Sequence, residues 1–275
     1  MFSIIIDKKS YKEQELYFKV QSIAKSTIDY VKEIIKPGLS LVELRKMCEN
    51  KMLELGADSF WYYNVGAFIF AGDETAKSVS GKEYITSNYI IKNDDIITID
   101  LSPQIKNIWG DYARTIIIEN GKIVDKFSQI QNNEWKIGIL TEEKLHNELF
   151  NFATSNTTFE ELYYYMNDFI KKCGYINLDF NGNLGHSIAK NKNRRIYIEK
   201  GNKKKLSDIK YFTFEPHIAP LNSNYGYKKE NIYYFLLLRC IGNGYPLLSI
   251  KGYRLQFNSY RSIPYSQLLL RYSTR

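Results

Sequence analysis

The stretch "DIITIDLSPQIKNIWGDYARTIII", from Asp95 to Ile118, decides how this chain is read. Its apolar residues alternate or run together at strand length, so the spacing predicts two β-strands joined by a turn. Two carboxylates interrupt that pattern. Asp100 closes one apolar run and Asp111 opens the next, eleven residues on. Burying an unpaired carboxylate costs several kcal/mol, so two at neighbouring strand ends need cationic partners.

The flanking sequence supplies helices. Residues 11–36 carry helical periodicity that ends at Pro37-Gly38. Ser40 with Glu43 forms a capping box for a helix running to about Leu55, and Thr158 with Glu161 marks a second. Helices are expected over 40–55, 127–153 and 158–173. Strands are expected in "SFWYYNVGAFIFAG" (59–72) and around Leu184–Ala189, Arg195–Glu199, Tyr211–His217 and Tyr227–Leu238, with a tight turn at Asn120-Gly121. The order predicts two αα-ββ halves sharing one sheet, an α+β arrangement in one domain over residues 1–235.

Composition narrows the functional class. The chain has 275 residues, is 44% hydrophobic and 25% charged, and contains no apolar run long enough for a transmembrane helix. The lysines near the N-terminus follow its short apolar patch, the reverse of a secretory signal, so the expected location is cytoplasmic. Three widely spaced cysteines, Cys48, Cys173 and Cys240, argue against disulfides and zinc fingers.

The net charge of +8 invites a nucleic-acid partner, but residues 236–275 hold +6 of it, with five arginines, one lysine and no acid. The body is nearly neutral, which argues against nucleic acid. The basic run "AKNKNRRIYIEKGNKKK" (189–205) reads as a solvated face. The change in composition predicts that residues 236–275 are an appended or frame-shifted tail without a share in the site.

Five residues share the setting of Asp100 and Asp111, at the edge of apolar runs: these two, His186 in "LGHSI", Glu215 in "FTFEP" and Glu230 in "YKKENIYYF". Four carboxylates and one imidazole match two divalent ions in charge and donor type.

The ordered set "ID…GDYART…GHSI…FTFEP…EN" resembles the pita-bread metallopeptidases: methionine aminopeptidases, Xaa-Pro aminopeptidases and Xaa-Pro dipeptidases. The resemblance covers roughly residues 15–235. It implies a curved antiparallel sheet backed by helices and a dinuclear metal-dependent peptidase, an aminopeptidase or Xaa-Pro-like dipeptidase. Asp100 would chelate one ion, Asp111 and Glu230 would bridge two, and His186 and Glu215 would bind the other. Glu215 would also be the general base for a bridging water. Mn, Co, Fe or Zn would suit the ligand set. The implied partner is a peptide, with no membrane and with a homodimer left open.

Two departures accompany the resemblance. The family usually has two further histidines, whose places here fall at Val79 or Ser80 and at Asn193. His217, where the family more often has glycine, is a candidate replacement in catalysis. Arg194 and Arg195 are candidates for holding a substrate carboxylate or oxyanion, and Arg114 and Thr115 for supporting the ligands from behind. His146, in the polar stretch "EEKLHNELF", is expected on the surface. The competing reading is a binding module, or an altered enzyme acting on a non-peptide amide.

Overall fold

In a computed structural model of the chain, the described residues are 8–237 and 252–256, with side chains described for 13–235. Helices α1 (Lys8–Ile34) and α2 (Leu41–Glu54) come first. The opening strands are β1 (Ser59–Phe60), β2 (Ala67–Ala71), β3 (Asp95–Leu101), β4 (Pro103–Ile105), β5 (Ile108–Trp109), β6 (Tyr112–Glu119) and β7 (Lys122–Ile123). Helices α3 (Asn133–Phe152) and α4 (Phe159–Lys172) follow. The chain then forms β8 (Tyr175–Asn177), β9 (Phe212–Phe214), β10 (His217–Pro220), β11 (Tyr227–Lys228), β12 (Asn231–Leu237) and β13 (Gly252–Gln256). The expected α+β order is therefore present.

Both capping boxes form as the sequence predicts. Ser40 Oγ accepts from the Glu43 amide, and a Glu43 carboxylate oxygen accepts from the Ser40 amide at 3.0 Å. Thr158 and Glu161 do the same for α4. The third helix starts later than expected, because residues 127–129 form a separate 3-10 turn and Asn132 caps α3 from Glu134 and Trp135.

Among the described residues every strand pairing is antiparallel, but the expected single shared sheet is divided into four sheets, β2-β3-β6-β7, β1-β4-β5, β8-β10-β11 and β9-β12-β13. The opening stretch makes four strands rather than two. Between β3 and β6 it folds out as the β4-β5 hairpin, whose turn residues Lys106 and Asn107 both take positive φ (49° and 63°). Such a turn matches the twist of its strands. The expected strand over 59–72 is split by a turn in which Tyr63 and Asn64 have positive φ. The stretches 184–189 and 195–199 form only isolated bridges, His186 to Tyr197 and Ser187 to Phe212.

Alternation along β3 explains the central sheet. Ile97, Ile99 and Leu101 are fully buried with Val20, Leu41 and Leu44 of α1 and α2. Ile96 and Ile117 point the other way, into a core with Leu145, Leu149, Leu162 and Met166 of α3 and α4. On that second face Thr98, Asp100 and Ser102 follow Ile96 at two-residue spacing and line a cavity. Residues 236–275, the expected tail, lie mostly outside the described residues. Within them β13 pairs with β12.

Candidate metal centre

Asp100 is paired with Ala113 across the β3-β6 ladder. Asp111 precedes Ala113 by two residues, so its side chain leaves the same face, diagonal to Asp100. The backbone of Asp111 is fixed from α1. Its amide donates to Gln21 Oε1 at 3.0 Å, and Gln21 Nε2 donates to its carbonyl at 2.7 Å.

The other three candidates arrive from the second half, His186 at an isolated bridge and the two glutamates where ladders stop. His186 follows Gly185, whose φ is +133°. A Cβ at Gly185 would lie 2.4 Å from the Thr213 carbonyl oxygen, so only glycine lets these segments touch. The contact fixes His186, whose amide donates to Thr213 Oγ1 and whose carbonyl accepts from the Thr213 amide. Glu215 falls in the break between β9 and β10, and Glu230 in the break between β11 and β12. The Glu230 amide donates to the Ala113 carbonyl at 3.0 Å, which ties this break to the strand after Asp111.

The result is a closely set group of donors. One carboxylate oxygen from each of Asp100, Asp111 and Glu230 lies within 4.8 Å of the others. His186 Nε2 is 3.6 Å from Asp111 Oδ2 and 3.7 Å from Glu215 Oε1. Its Nδ1 donates to the Ser187 carbonyl, leaving the Nε2 lone pair on the carboxylate side. Burial, with the Arg195 charge second, holds the imidazole neutral, lowering its pKa to about 3. Burial, then Asp100 and Glu215, drives Asp111 well above the usual carboxylate range. Burial, then Asp111 and Glu215, does the same to Glu230.

Glu230 supplies the test of whether a cation fits. The residue is completely buried, and neither of its carboxylate oxygens accepts a hydrogen bond. Buried polar atoms in folded proteins are nearly always partnered. Two bare oxygens beside two more carboxylates are the environment a divalent ion removes from a protein's cost. The donor set fits hard or borderline divalent ions.

Around these ligands lies a cavity of about 310 Å³. Its walls include Trp61, Tyr62, Phe180 and Tyr197, and two cations reach in. Arg195 lies over Trp61, with Cζ 4.8 Å from the ring, and its Nη1 donates to His186 Nε2 at 3.3 Å. Lys228 Nζ lies 2.6 Å from Asp100 Oδ2 and 3.3 Å from Glu215 Oε2. Burial opposes the Lys228 ammonium, but Asp100 and Glu215 outweigh it and hold its pKa well above normal. Arg194, by contrast, is exposed and not part of the lining. The reading from sequence did not single out Lys228, because a Lys-Lys pair before a strand looks like a solvated turn. Asp179 also went unnoticed. It lines the cavity, with a pKa raised to about 6 by burial and then Glu215.

His217 lines the cavity too, but both ring nitrogens are engaged. Nε2 donates to the Thr75 carbonyl at 2.7 Å and Nδ1 faces Ser78 Oγ at 3.1 Å. Burial, then Lys228, lowers its pKa to about 4. The ring thus fastens the segment carrying Val79 and Ser80 over the site. Among the two places where histidines were looked for, Val79 and Ser80 line the cavity and Asn193 is exposed.

The sequence matches metallopeptidase family M24 over residues 15–235. The chain belongs to that family. A methionine aminopeptidase of Helicobacter pylori is 25% identical over 225 residues, covering 78% of this chain and 82% of that protein. A methionine aminopeptidase of Methanocaldococcus jannaschii is 26% identical over 106 residues, 38% of this chain and about a third (34%) of that relative's length. In fold, the chain is similar to the prolidase of Pyrococcus horikoshii, with a TM-score of 0.67 at 21% identity over 93% of this chain and 63% of that one. This M24 chain has the pita-bread fold that its motifs imply, with helices backing antiparallel strands. No helix among its described residues is long and apolar enough to cross a membrane.

Behind the ligands, Arg114 and Thr115 stand where support was expected. Arg114 Nη1 donates to the Glu230 carbonyl at 2.8 Å and Nη2 to Asn231 Oδ1 at 2.8 Å. Thr115 Oγ1 donates to Glu142 Oε1 at 2.6 Å. His146, expected on the surface, is instead buried at 4% exposure. Glu143 and Lys144 are exposed on the other side of α3, but Glu142, one turn before His146, is buried with it, so local polarity misreads this face.

Glu142 yields a pH prediction. Burial raises its pKa from the usual 4.5 to about 7. The folded chain keeps this proton between about pH 4.5 and 7 while the unfolded chain releases it. Stability therefore falls as pH rises through that window, by about 3 kcal/mol in all. Glu142→Gln, which stays neutral, should gain stability relative to the parent across the window and hold a constant advantage above it. Urea denaturation of both proteins at pH 5 and pH 8 measures this, and parallel stabilities at the two pH values would contradict it. The oppositely titrating His146 is common to both proteins and cancels.

Proposed function

We propose that this chain is a dinuclear metal-dependent peptidase, an aminopeptidase or dipeptidase of the Xaa-Pro type. The observation that carries the reading is the bare, fully buried Glu230 carboxylate set against Asp100 and Asp111. Asp100, Asp111, His186, Glu215 and Glu230 would hold two divalent ions, of which Mn or Fe suits the oxygen-rich set best. When bound, such ions supply Lewis acidity and lower the pKa of a shared water.

The chain's own residues would do the rest. Glu215 takes a proton from the attacking water as its oxygen bonds to the peptide carbonyl carbon, and returns it to the amine nitrogen as the C–N bond breaks. Lys228 and Arg195 present positive charge to the carbonyl oxygen or to a substrate carboxylate, in the place of the usual histidines. Trp61, Tyr62 and Phe180 exclude water and seat an apolar side chain. His217 holds the 75–78 segment rather than moving protons, because both of its nitrogens are occupied.

A second reading rests on Val79, Ser80 and Asn193: without imidazoles there, the same centre would act on a non-peptide amide. Metal analysis combined with a screen of short peptides varied at the N-terminus separates the two. We expect two Mn or Fe equivalents and release of the N-terminal residue. Bound metal with no peptide cleaved favours the second reading. A chain that takes up no divalent ion removes both.

A further inference from the structure

The break at Lys229-Glu230 is the weakest place in the scaffold at which to hang a ligand. Neither residue belongs to a ladder. The backbone is nevertheless held at every step by something other than sheet pairing. The Lys228 amide donates to Thr115 Oγ1 at 2.9 Å, and the Glu230 amide to the Ala113 carbonyl at 3.0 Å. The Glu230 carbonyl takes the Arg114 guanidinium. The Lys229 carbonyl is held from the helical layer, where His146 Nε2 lies 3.0 Å away.

His146 is equipped for that one task. Its Nε2 must carry the hydrogen, because a carbonyl only accepts. Its Nδ1 is then an acceptor, and the Tyr233 hydroxyl donates to it at 2.6 Å. Tyr233 lies on β12, three residues past Glu230, so the imidazole spans the break from one side to the other. Phe214 of β9 packs edge-on to the ring, 5.1 Å between centroids. Burial and the neighbouring Lys229 and Arg114 charges keep the ring neutral, which preserves one donor and one acceptor. Meanwhile the Glu230 side chain receives no hydrogen bond at all. Among the described residues, the hydrogen bonds that hold Glu230 are therefore those to its backbone.

We infer that His146 is a positioning residue for the metal centre, one that sets the angle at which Glu230 presents its carboxylate by bracing the Lys229 carbonyl against Tyr233. This rests on the metal-centre reading above. It assigns a role to a helix residue that touches no ligand side chain.

The test is Mn²⁺ affinity of the full chain by isothermal titration calorimetry, which needs no substrate. His146→Phe keeps a flat ring and deletes its hydrogen bonds to the Lys229 carbonyl, the Tyr233 hydroxyl and the Asn231 amide. Loss of a hydrogen-bonded support behind a ligand weakens metal binding by roughly 10–100-fold, and that is the expected rise in Kd. His146→Gln, whose amide N–H can reach the same carbonyl, should recover most of it. Met166→Ala, in the fully buried core of α4, should lower thermal stability and leave Kd unchanged. Should His146→Phe fail to fold, Tyr233→Phe removes the hydroxyl that orients the ring and should weaken Mn²⁺ by several-fold. Parent-like affinity in folded His146→Phe or Tyr233→Phe overturns the inference, as does an equal loss in Met166→Ala. A parent chain that binds no Mn²⁺ overturns the metal-centre reading and this inference with it, whereas tight binding by parent and variants alike overturns the inference alone.

Discussion

Asp111→Asn should lose at least one of two bound divalent ions and reduce hydrolysis by orders of magnitude, while remaining folded. One of the Asp111 oxygens lies within 4.8 Å of oxygens of both Asp100 and Glu230, and Oδ2 is 3.6 Å from His186 Nε2, so the residue is close to three of the other four candidate donors. Its backbone is held by Gln21 of α1 through both amide and carbonyl, an arrangement that asparagine leaves intact. Asparagine has the same size and removes only the charge. In the metal-free chain this relieves a buried repulsion with Asp100 and Glu215, so thermal stability without metal should hold or rise. With metal, the variant would lack one of the carboxylates proposed to hold it. The cost should exceed the roughly 10–100-fold that follows loss of a mere outer support of a ligand. Elemental analysis after dialysis and turnover of the best peptide check both halves. Unchanged turnover would rule out the bridging role.

Glu215→Gln should separate two roles that the sequence assigns to one residue. The side chain accepts from Thr213 Oγ1 at 3.2 Å, and its other oxygen meets Lys228 at 3.3 Å. A glutamine oxygen can accept one of these contacts, and its carbonyl remains a weak metal ligand. It cannot take a proton from water. General-base catalysis contributes about 10²–10⁴-fold, so kcat should fall by that order with KM nearly unchanged at saturating Mn²⁺. If excess Mn²⁺ restores kcat, Glu215 is a ligand alone, and the water is activated by some other group.

The two variants bear on a centre whose electrostatics are dominated by burial. Asp111 and Glu230 are driven towards the neutral form without compensating charge, and Lys228 is held charged by the same carboxylates. A lysine lodged between Asp100 and Glu215 is a built-in counter-charge that shares the site with any incoming ion.

Much of the site was legible in the sequence because its signals are local. A carboxylate at the edge of an apolar run is anomalous whatever the tertiary fold, and four of them, Asp100, Asp111, Glu215 and Glu230, stand out in this way with His186 in the same setting. Capping boxes at Ser40 and Thr158 are equally local, since their hydrogen bonds close within four residues. What the sequence by itself determined was therefore the helices, the alternation of β3 and the inventory of candidate donors. Only the tertiary structure decided where the ladders break, that Glu215 and Glu230 occupy two of those breaks, and that Lys228, Asp179 and His146 face inward. Those outcomes depend on contacts between residues more than eighty positions apart, such as His146 with Lys229 and Lys228 with Asp100. A side chain's polarity says what burial would cost it, but the partner that offsets the cost lies elsewhere in the chain, and only folding brings the two together.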